Sequence, residues 1–333
     1  MKAIAADRLD SFVDYRLVDV PEVSPGHGEV RLRVAAVGLG YVDALIARGG
    51  YQVKPSLPHI PGVEVAGIVD VVGTGVTGLA PGNRVLALTQ AGLAEQALAA
   101  AAACRLIPAQ ISFSEAAAFP LNHLTALHAL ADRGRLQSRE TLLVFGAAGG
   151  VGTAAIAVGK QIGATVIAAA STQEKRAFAI AHGADFAVDT ALEGWRDRLR
   201  GILAGSQLDV VVDPVMGPLF QAAFRSLGWG GRYLVVGFVG GPIPALPANL
   251  PLMKGASLVG VDVRQFQLFE KQATADHLDL LISWLADGKL PASATLEYPW
   301  TEAPLALTQA FGGKYLGKVV LKLSQRSLCP DPV

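Results

Sequence analysis

The stretch TLLVFGAAGGVGTAAIAVGKQIGATVIAAA, Thr141 to Ala170, decides the reading of this chain. An apolar run enters a glycine cluster, an Ala-rich segment of helical length follows, and a second apolar run closes the stretch. Strand, tight turn, helix, strand is a βαβ unit, and a Gly-rich turn in that context is the dinucleotide-binding fingerprint. Ala147, Gly149 and Gly152 fill its three glycine positions, with Ala in the first. The missing side chain at Gly149 lets the backbone approach a pyrophosphate, and a helix N-terminus after Gly150 offers unpaired N–H groups and a positive dipole. Ala148, Gly149, Gly150, Val151 and Gly152 therefore form the expected binding loop. The competing reading is a tight turn with no ligand; the spacing of the flanking strand and helix favours the dinucleotide.

Working outward, the chain from about residue 120 alternates apolar runs (TLLVFG, ATVIAAA, ADFAVD, LDVVVD) with segments of helical length. GGRYLVVGF and SLVGVDV complete about six strands by residue 263, which predicts a doubly wound parallel sheet with helices on both faces. Residues 1–120 read differently, as short β-type runs such as EVRLRVAAVGLG (29–40), VEVAGIVDVVGTG (63–75) and PGNRVLALT (81–89), punctuated by Gly and Pro. A helix around 270–288, the run ATLEYPW, a short helix near 302–311 and a strand GKVVLKL (317–323) follow, and are expected to rejoin the first domain.

An NAD site usually closes its second strand with an acid, about 20 residues after the glycines, for the ribose 2′-hydroxyl. Here that strand ends Ala169-Ala170-Ser171, and Lys175 and Arg176 follow one turn later. A 2′-phosphate would meet a hydroxyl and two cations, so NADP(H) is the expected cofactor. The alternative for Lys175 and Arg176 is a solvated helix face.

Lys plus Arg and Asp plus Glu each total 28 among 333 residues, so net charge supports neither a nucleic-acid footprint nor an anionic membrane anchor. Cys104 and Cys329 stand far apart and offer no disulfide framework or zinc ribbon. Asp7, Arg8 and Asp10 interrupt any apolar signal segment, so a cytoplasmic protein is expected. The uncharged runs 141–159 and 233–253 imitate membrane spans, but their Gly and Pro content argues for buried strands and turns.

Over nearly the whole length the chain resembles the zinc-independent medium-chain dehydrogenases/reductases, particularly the NADPH:quinone oxidoreductases. The matching stretches run in order: PGVEVAGIVDVVGTGV with PGNRV, AAFPLNHLTALHAL, GAAGGVG, STQEKRAFAIAHGAD, VVDPVMG, GGRYLVVGFVGG and GKVVL. The resemblance implies an α/β protein with a GroES-like β-barrel domain (1–122 and 265–333) and a Rossmann NADP(H)-binding domain (123–264), the active site lying in the cleft between them. It also implies a homodimer, paired through the edge strand near Ser257 to Val263. Zinc-binding relatives hold their metal with Cys, His and Cys, and those places here are Gly40, Val63 and about Asn122. None is a tight zinc ligand, so no metal is expected.

Without a Lewis acid the chemistry narrows to reducing an electron-poor quinone or enone, in which positioning is most of the contribution. The family's Asn-aromatic-x-Asp pattern is matched at Tyr41 and Asp43, and its further Tyr at Tyr51. Gly40 replaces the Asn, and Leu45 stands where a second Tyr can occur. Tyr51 is either a hydrogen-bond donor to the acceptor oxygen or a packing aromatic; Asp43 orients a donor or has a structural role. His123 is a packed or capping residue, or else a proton relay. Further cofactor contacts implied by resemblance are Thr125, Asp213, Gly237 and Phe238, and Lys314 or Gly317, while Thr190 departs from a family Tyr. Two alternatives remain: an enoyl-thioester (acryloyl-CoA-like) reductase with Arg48 and Lys54 as a basic rim, and a non-catalytic NADPH-binding structural or regulatory protein.

Overall fold

The computed structural model describes residues 1–323, so Cys329 lies outside the described residues. The described residues form two compact units: Met1–Leu121 with the described residues from Ala292 onward, and Asn122–Pro291.

The first unit opens with a two-stranded pair, β1 (Lys2–Ala5) and β2 (Arg16–Asp19), followed by β3 (Glu29–Leu39), β4 (Glu64–Val72), β5 (Arg84–Leu88), β6 (Gln96–Ala100) and β7 (Cys104–Leu106). Along β3 the alternation of Val30, Leu32 and Val34 with Arg31 and Arg33 buries one face; beyond Val34 both faces are buried. Helix α1 (Tyr41–Ala47) follows β3, and α2 (Phe113–Ala118) packs against it. Gly38 is what lets α2 approach, because a Cβ there would lie 2.2 Å from the Ala117 carbonyl oxygen. A capping box starts α2, Ser112 Oγ accepting from Glu115 N–H at 3.2 Å and Glu115 Oε2 accepting from Ser112 N–H at 2.8 Å.

Helix α3 (Pro120–Leu127) leads through a π-helical turn, His128–Arg133, into a six-stranded parallel sheet. Its strands are β8 (Thr141–Phe145), β9 (Thr165–Ala170), β10 (Phe186–Asp189), β11 (Val210–Asp213), β12 (Arg232–Val235) and β13 (Ser257–Gly260). Between them run α4 (Gly150–Ile162), α5 (Gln173–Ala181), α6 (Trp195–Leu203), α7 (Phe220–Ser226) and α8 (Asn249–Lys254). The spatial order β10-β9-β8-β11-β12-β13 is the 3-2-1-4-5-6 order of a Rossmann sheet. Every residue of β8 is buried, the reason its sequence is continuously apolar rather than alternating. Tyr233, Trp195, Phe220 and Phe224 fill one face of the core.

Helices α9 (Val263–Phe269) and α10 (Lys271–Ala286) come next. They group with the second unit, so the chain returns to the first unit after Pro291 and not at 265. The physical reason is their packing on the π-helical turn. The His128 ring stacks on Phe266 at 4.0 Å, and Asp132 Oδ2 meets both His128 Nδ1 (2.7 Å) and His277 Nε2 (2.9 Å). The chain then adds β14 (Thr295–Pro299), α11 (Ala303–Gly312) and β15 (Lys318–Lys322) to the first unit. The resulting seven-stranded sheet runs β14-β15-β3-β4-β5-β7, with β6 also paired to β3. Among the described residues no helix is long and apolar enough to cross a membrane.

Candidate active site

The turn between β8 and α4 follows from its glycines. Gly146 takes the left-handed conformation (φ 58°), and the chain folds back so that Gly149 N–H donates to Gly146 O at 2.9 Å. A Cβ on Gly152 would lie 2.2 Å from that carbonyl oxygen, so glycine is required where the helix presses on the turn. At Gly150 the obstacle is Asn122, whose Nδ2 would lie 2.4 Å from the added carbon. Gly149 differs: its Cβ would meet only Gly146 O, at 3.4 Å. Among the described residues no close contact demands glycine there, and space is left open beside the helix N-terminus. The helix starts at Gly150 with Gly149 as its N-cap, while Ala148 is buried and Val151 half-buried beside it. Thr125 lies three residues after Asn122 on α3, on the same helix face. Asn122, His123 and Thr125 are all buried.

The other expected contacts of this unit gather at the C-terminal ends of the parallel strands, the edge at which such sheets bind ligands. Ser171 follows β9 and is exposed; Lys175 and Arg176 sit half-buried in the first turns of α5. Arg176 Nη1 pairs with Asp189 Oδ2 at 2.7 Å and donates to Ala170 O at 3.1 Å. Thr190 follows Asp189 and is half-buried. Val236 N–H donates to Asp213 O, which sets Gly237 and the exposed Phe238 beside the loop that follows β11.

Asp213 has its carboxylate turned inward. It is 1% exposed, and its Oδ1 accepts from Val215 N–H (2.7 Å) and Met216 N–H (2.8 Å) while Oδ2 accepts from the Tyr233 hydroxyl. Burial pushes its carboxyl up against the pull of those three donors. Its role is to brace the turn after β11, where Met216 takes a positive φ of 51°.

In the first unit the strand register assembles a polar centre that sequence reading missed. Gly38 pairs with Glu64 across β3 and β4, and Leu39 pairs with Val319 across β3 and β15. The two charged strand residues Glu64 and Lys318 therefore meet at the end of β3, and Lys318 Nζ donates to Glu64 Oε2 in full burial. Glu64 Oε1 accepts from Leu121 N–H at 2.9 Å. Asp43, at the third position of α1, accepts from Gly40 N–H at 2.8 Å, and a Cβ on Gly40 would lie 3.3 Å from Lys318 Nζ. One ammonium thus faces two buried carboxylates. Burial pushes both carboxyls up, opposed by Lys318; burial also works against the Lys318 charge, but Glu64 and Asp43 outweigh it and hold the ammonium above its ordinary range. The Tyr315 phenol beside them is raised as well, chiefly by burial. One signal was available: a charge at the first position of each of two apolar strands, E-V-A-G-I-V and K-V-V-L.

The remaining first-unit candidates are dispersed. The Tyr41 ring stacks on Phe311 at 5.4 Å, Leu45 is half-buried on the same helix, and Tyr51 is half-buried in the bend after α1. Lys314 is exposed. Gly317 is glycine because a Cβ would lie 2.3 Å from Ala294 O, a packing reason independent of any phosphate.

The family models agree with this geometry: "Alcohol dehydrogenase GroES-like domain" matches residues 26–128 and "Zinc-binding dehydrogenase" matches residues 150–279. The chain is similar to quinone oxidoreductase-like protein 2 of Mus musculus, 33% identical over 91% of this chain and 88% of that protein. Among solved structures it resembles the Escherichia coli quinone oxidoreductase complexed with NADPH (TM-score 0.86, 25% identity, 97% of this chain and 100% of that one). It also resembles the CurK enoyl reductase (TM-score 0.89, 25% identity, 97% of this chain and 99% of that one). With a GroES-like unit, a Rossmann unit and a relative of this similarity over most of its length, the chain belongs to the medium-chain dehydrogenases/reductases, as an oxidoreductase among their quinone oxidoreductase-like members.

Proposed function

We propose that this protein reduces quinones or related α,β-unsaturated carbonyls with NADPH and without zinc. The observation that carries the proposal is the donor set at the positions where zinc-binding relatives hold their metal. Gly40 has no side chain, Val63 is apolar and Asn122 offers only an amide, so these residues do not fit a zinc ion. An acceptor that is already electron-poor does not need a Lewis acid.

The residues that would hold NADPH are those of the turn, Gly149 to Gly152, with Ser171 and the first turn of α5 toward the 2′-phosphate and Thr125, Gly237 and Phe238 toward the ring. Bound there, the cofactor supplies the hydride. The protein's own contribution is to orient the acceptor, exclude water and present a donor to the acceptor oxygen, the role proposed for Tyr51. Asp43 is assigned a positioning role, because its carboxylate accepts from Gly40 N–H and faces Lys318.

The test is NADPH-dependent reduction of 1,4-benzoquinone by protein dialysed against a chelator. Full turnover without zinc is expected; stoichiometric zinc essential to turnover would overturn the proposal. The likeness to an enoyl reductase favours one second reading, reduction of an enoyl thioester. Against it, the cations suggested as a CoA rim are engaged elsewhere: the Arg48 guanidinium lies over the Phe12 and Phe311 rings, and Lys54 Nζ donates to Gly49 O. Crotonyl-CoA turned over faster than benzoquinone would reverse this ranking.

A homodimer formed through β13 completes the proposal. This strand pairs only with β12 among the described residues; Leu258, Leu252 and Met253 are exposed on it or just before it, and the exposed Trp229 ring lies beside Gly255. Light scattering of the intact protein in solution tests it, and a monomer at micromolar concentration would refute it.

A further inference from the structure

The acid that an NAD-specific sheet places at the end of its second strand is missing from β9, but the next strand carries one. Parallel register sets Asp189, the last residue of β10, beside Ala170, the last residue of β9. The two strand ends are neighbours across one ladder spacing, about 4.8 Å. Arg176 reaches back from α5 to both, with Nη1 at 2.7 Å from Asp189 Oδ2 and 3.1 Å from Ala170 O. Asp189 is itself fixed. Its Oδ1 accepts from Ala191 N–H at 2.7 Å, and its backbone carbonyl accepts from Arg198 Nη2 at 3.4 Å. The Ala191 N–H, and then the Arg176 and Arg198 charges, keep its carboxyl below the ordinary range.

From this geometry we infer that Asp189 is a specificity residue for the cofactor's 2′ position, holding Arg176 back from a 2′-phosphate and thereby limiting the preference for NADPH over NADH. The inference rests on the proposed placement of the cofactor along the β8–α4 turn. A 2′-phosphate carries close to two negative charges, so it must compete with the carboxylate for the guanidinium and is repelled by it. A 2′-hydroxyl bears no charge and loses nothing to the same acid. Read from sequence, Ser171, Lys175 and Arg176 suggest strong selection for the phosphate. The ion pair reduces that selection, because the most rigid donor of the set is already neutralised. The guanidinium keeps donors on Nε and Nη2, so it can serve the phosphate better once the acid is removed.

The test uses adenine nucleotides that isolate the 2′ position, with binding measured by calorimetry on the intact protein. In Asp189→Asn the acceptor for Ala191 N–H is retained and only the charge is lost. This variant should bind 2′,5′-ADP about three- to tenfold more tightly than wild type, the scale of a partly exposed ion pair set against a doubly charged phosphate. Its affinity for 5′-ADP should stay within about twofold. Arg176→Gln should weaken 2′,5′-ADP and leave 5′-ADP unchanged, and the NADPH to NADH ratio of kcat/KM should move the same way in each variant. The inference fails if 2′,5′-ADP binds Asp189→Asn no more tightly than wild type, or binds Arg176→Gln equally well, while 5′-ADP still binds. If neither nucleotide binds the wild-type protein, the cofactor placement itself is wrong and the inference falls with it.

Discussion

Replacing Lys318 by Met should be among the most destabilising single changes the first unit can suffer. Met keeps the length and apolar stem of Lys and removes only the charge. What remains is Glu64 at 0% exposure and Asp43 at 4%, two carboxylates sharing a site without their cation. Removing one partner of a buried ion pair costs about 3–5 kcal/mol, a large part of the roughly 5–15 kcal/mol that holds a domain together. For a unit of about 150–250 residues, the class of the first unit, that corresponds to a fall in Tm of about 6–20 °C. The assay is urea unfolding of wild type, Lys318→Met, and the double variant with Glu64→Gln, which keeps an acceptor for Leu121 N–H. The double variant should recover about half of the loss, because one uncompensated carboxyl remains in place of two. The sign of the pH effect is fixed by the same geometry. Burial already raises both carboxyls, and losing Lys318 raises them further. The folded variant then binds more protons than the unfolded chain above about pH 4, so its stability should rise as pH falls and its deficit should shrink by about pH 5. A loss below about 1 kcal/mol at neutral pH, or a double variant no better than the single one, would refute the reasoning.

Other outcomes follow from single contacts. Gly152→Ala drives a methyl to within 2.2 Å of the Gly146 backbone oxygen, which cannot swing aside, and should cost about 1–3 kcal/mol in thermal unfolding and weaken NADPH binding at least about tenfold. Asp213→Ala strands the buried Met216 N–H, the half-buried Val215 N–H and the Tyr233 hydroxyl, so urea denaturation should register a loss of about 2–5 kcal/mol. His59 is buried against the Tyr15 hydroxyl at 2.6 Å and pushed down to about 4 by that burial. The unfolded chain takes up its proton near about pH 6.5, so stability should fall as pH drops from about 6.5 to about 4, more steeply than in His59→Gln. Tyr51→Phe should lower kcat/KM for benzoquinone by about tenfold if its hydroxyl serves the acceptor oxygen; unchanged kinetics would remove it from the mechanism.

Most of the fold was legible because its signals are local. The apolar runs that became β8 to β13 have the length of buried strands, and Gly and Pro mark their ends. The turn between β8 and α4 was legible for the same reason: the glycines that shape it lie within seven consecutive residues, Gly146 to Gly152. The boundary at 265 was misplaced because α9 and α10 follow the last Rossmann strand with no mark of which unit they cover; what holds them is Asp132, more than a hundred residues earlier. Asp213 reads as a binding residue at a strand end, since its three internal donors come from a turn and a tyrosine that spacing does not reveal. Glu64 with Lys318, and Arg176 with Asp189, are pairings set by register between strands and helices, which no local window contains.

The position of β15 between β14 and β3 carries a consequence for biosynthesis. While the ribosome is still translating, the parallel sheet has every strand it needs once Gly260 has emerged, so it can close early. The N-terminal sheet cannot: β3 waits with an open flank, and Glu64 with no counter-ion, until residues 318 to 322 arrive. A nascent chain arrested near residue 291 would expose that flank to pairing with other chains, making the stretch of translation from there to residue 322 the interval of greatest dependence on chaperones.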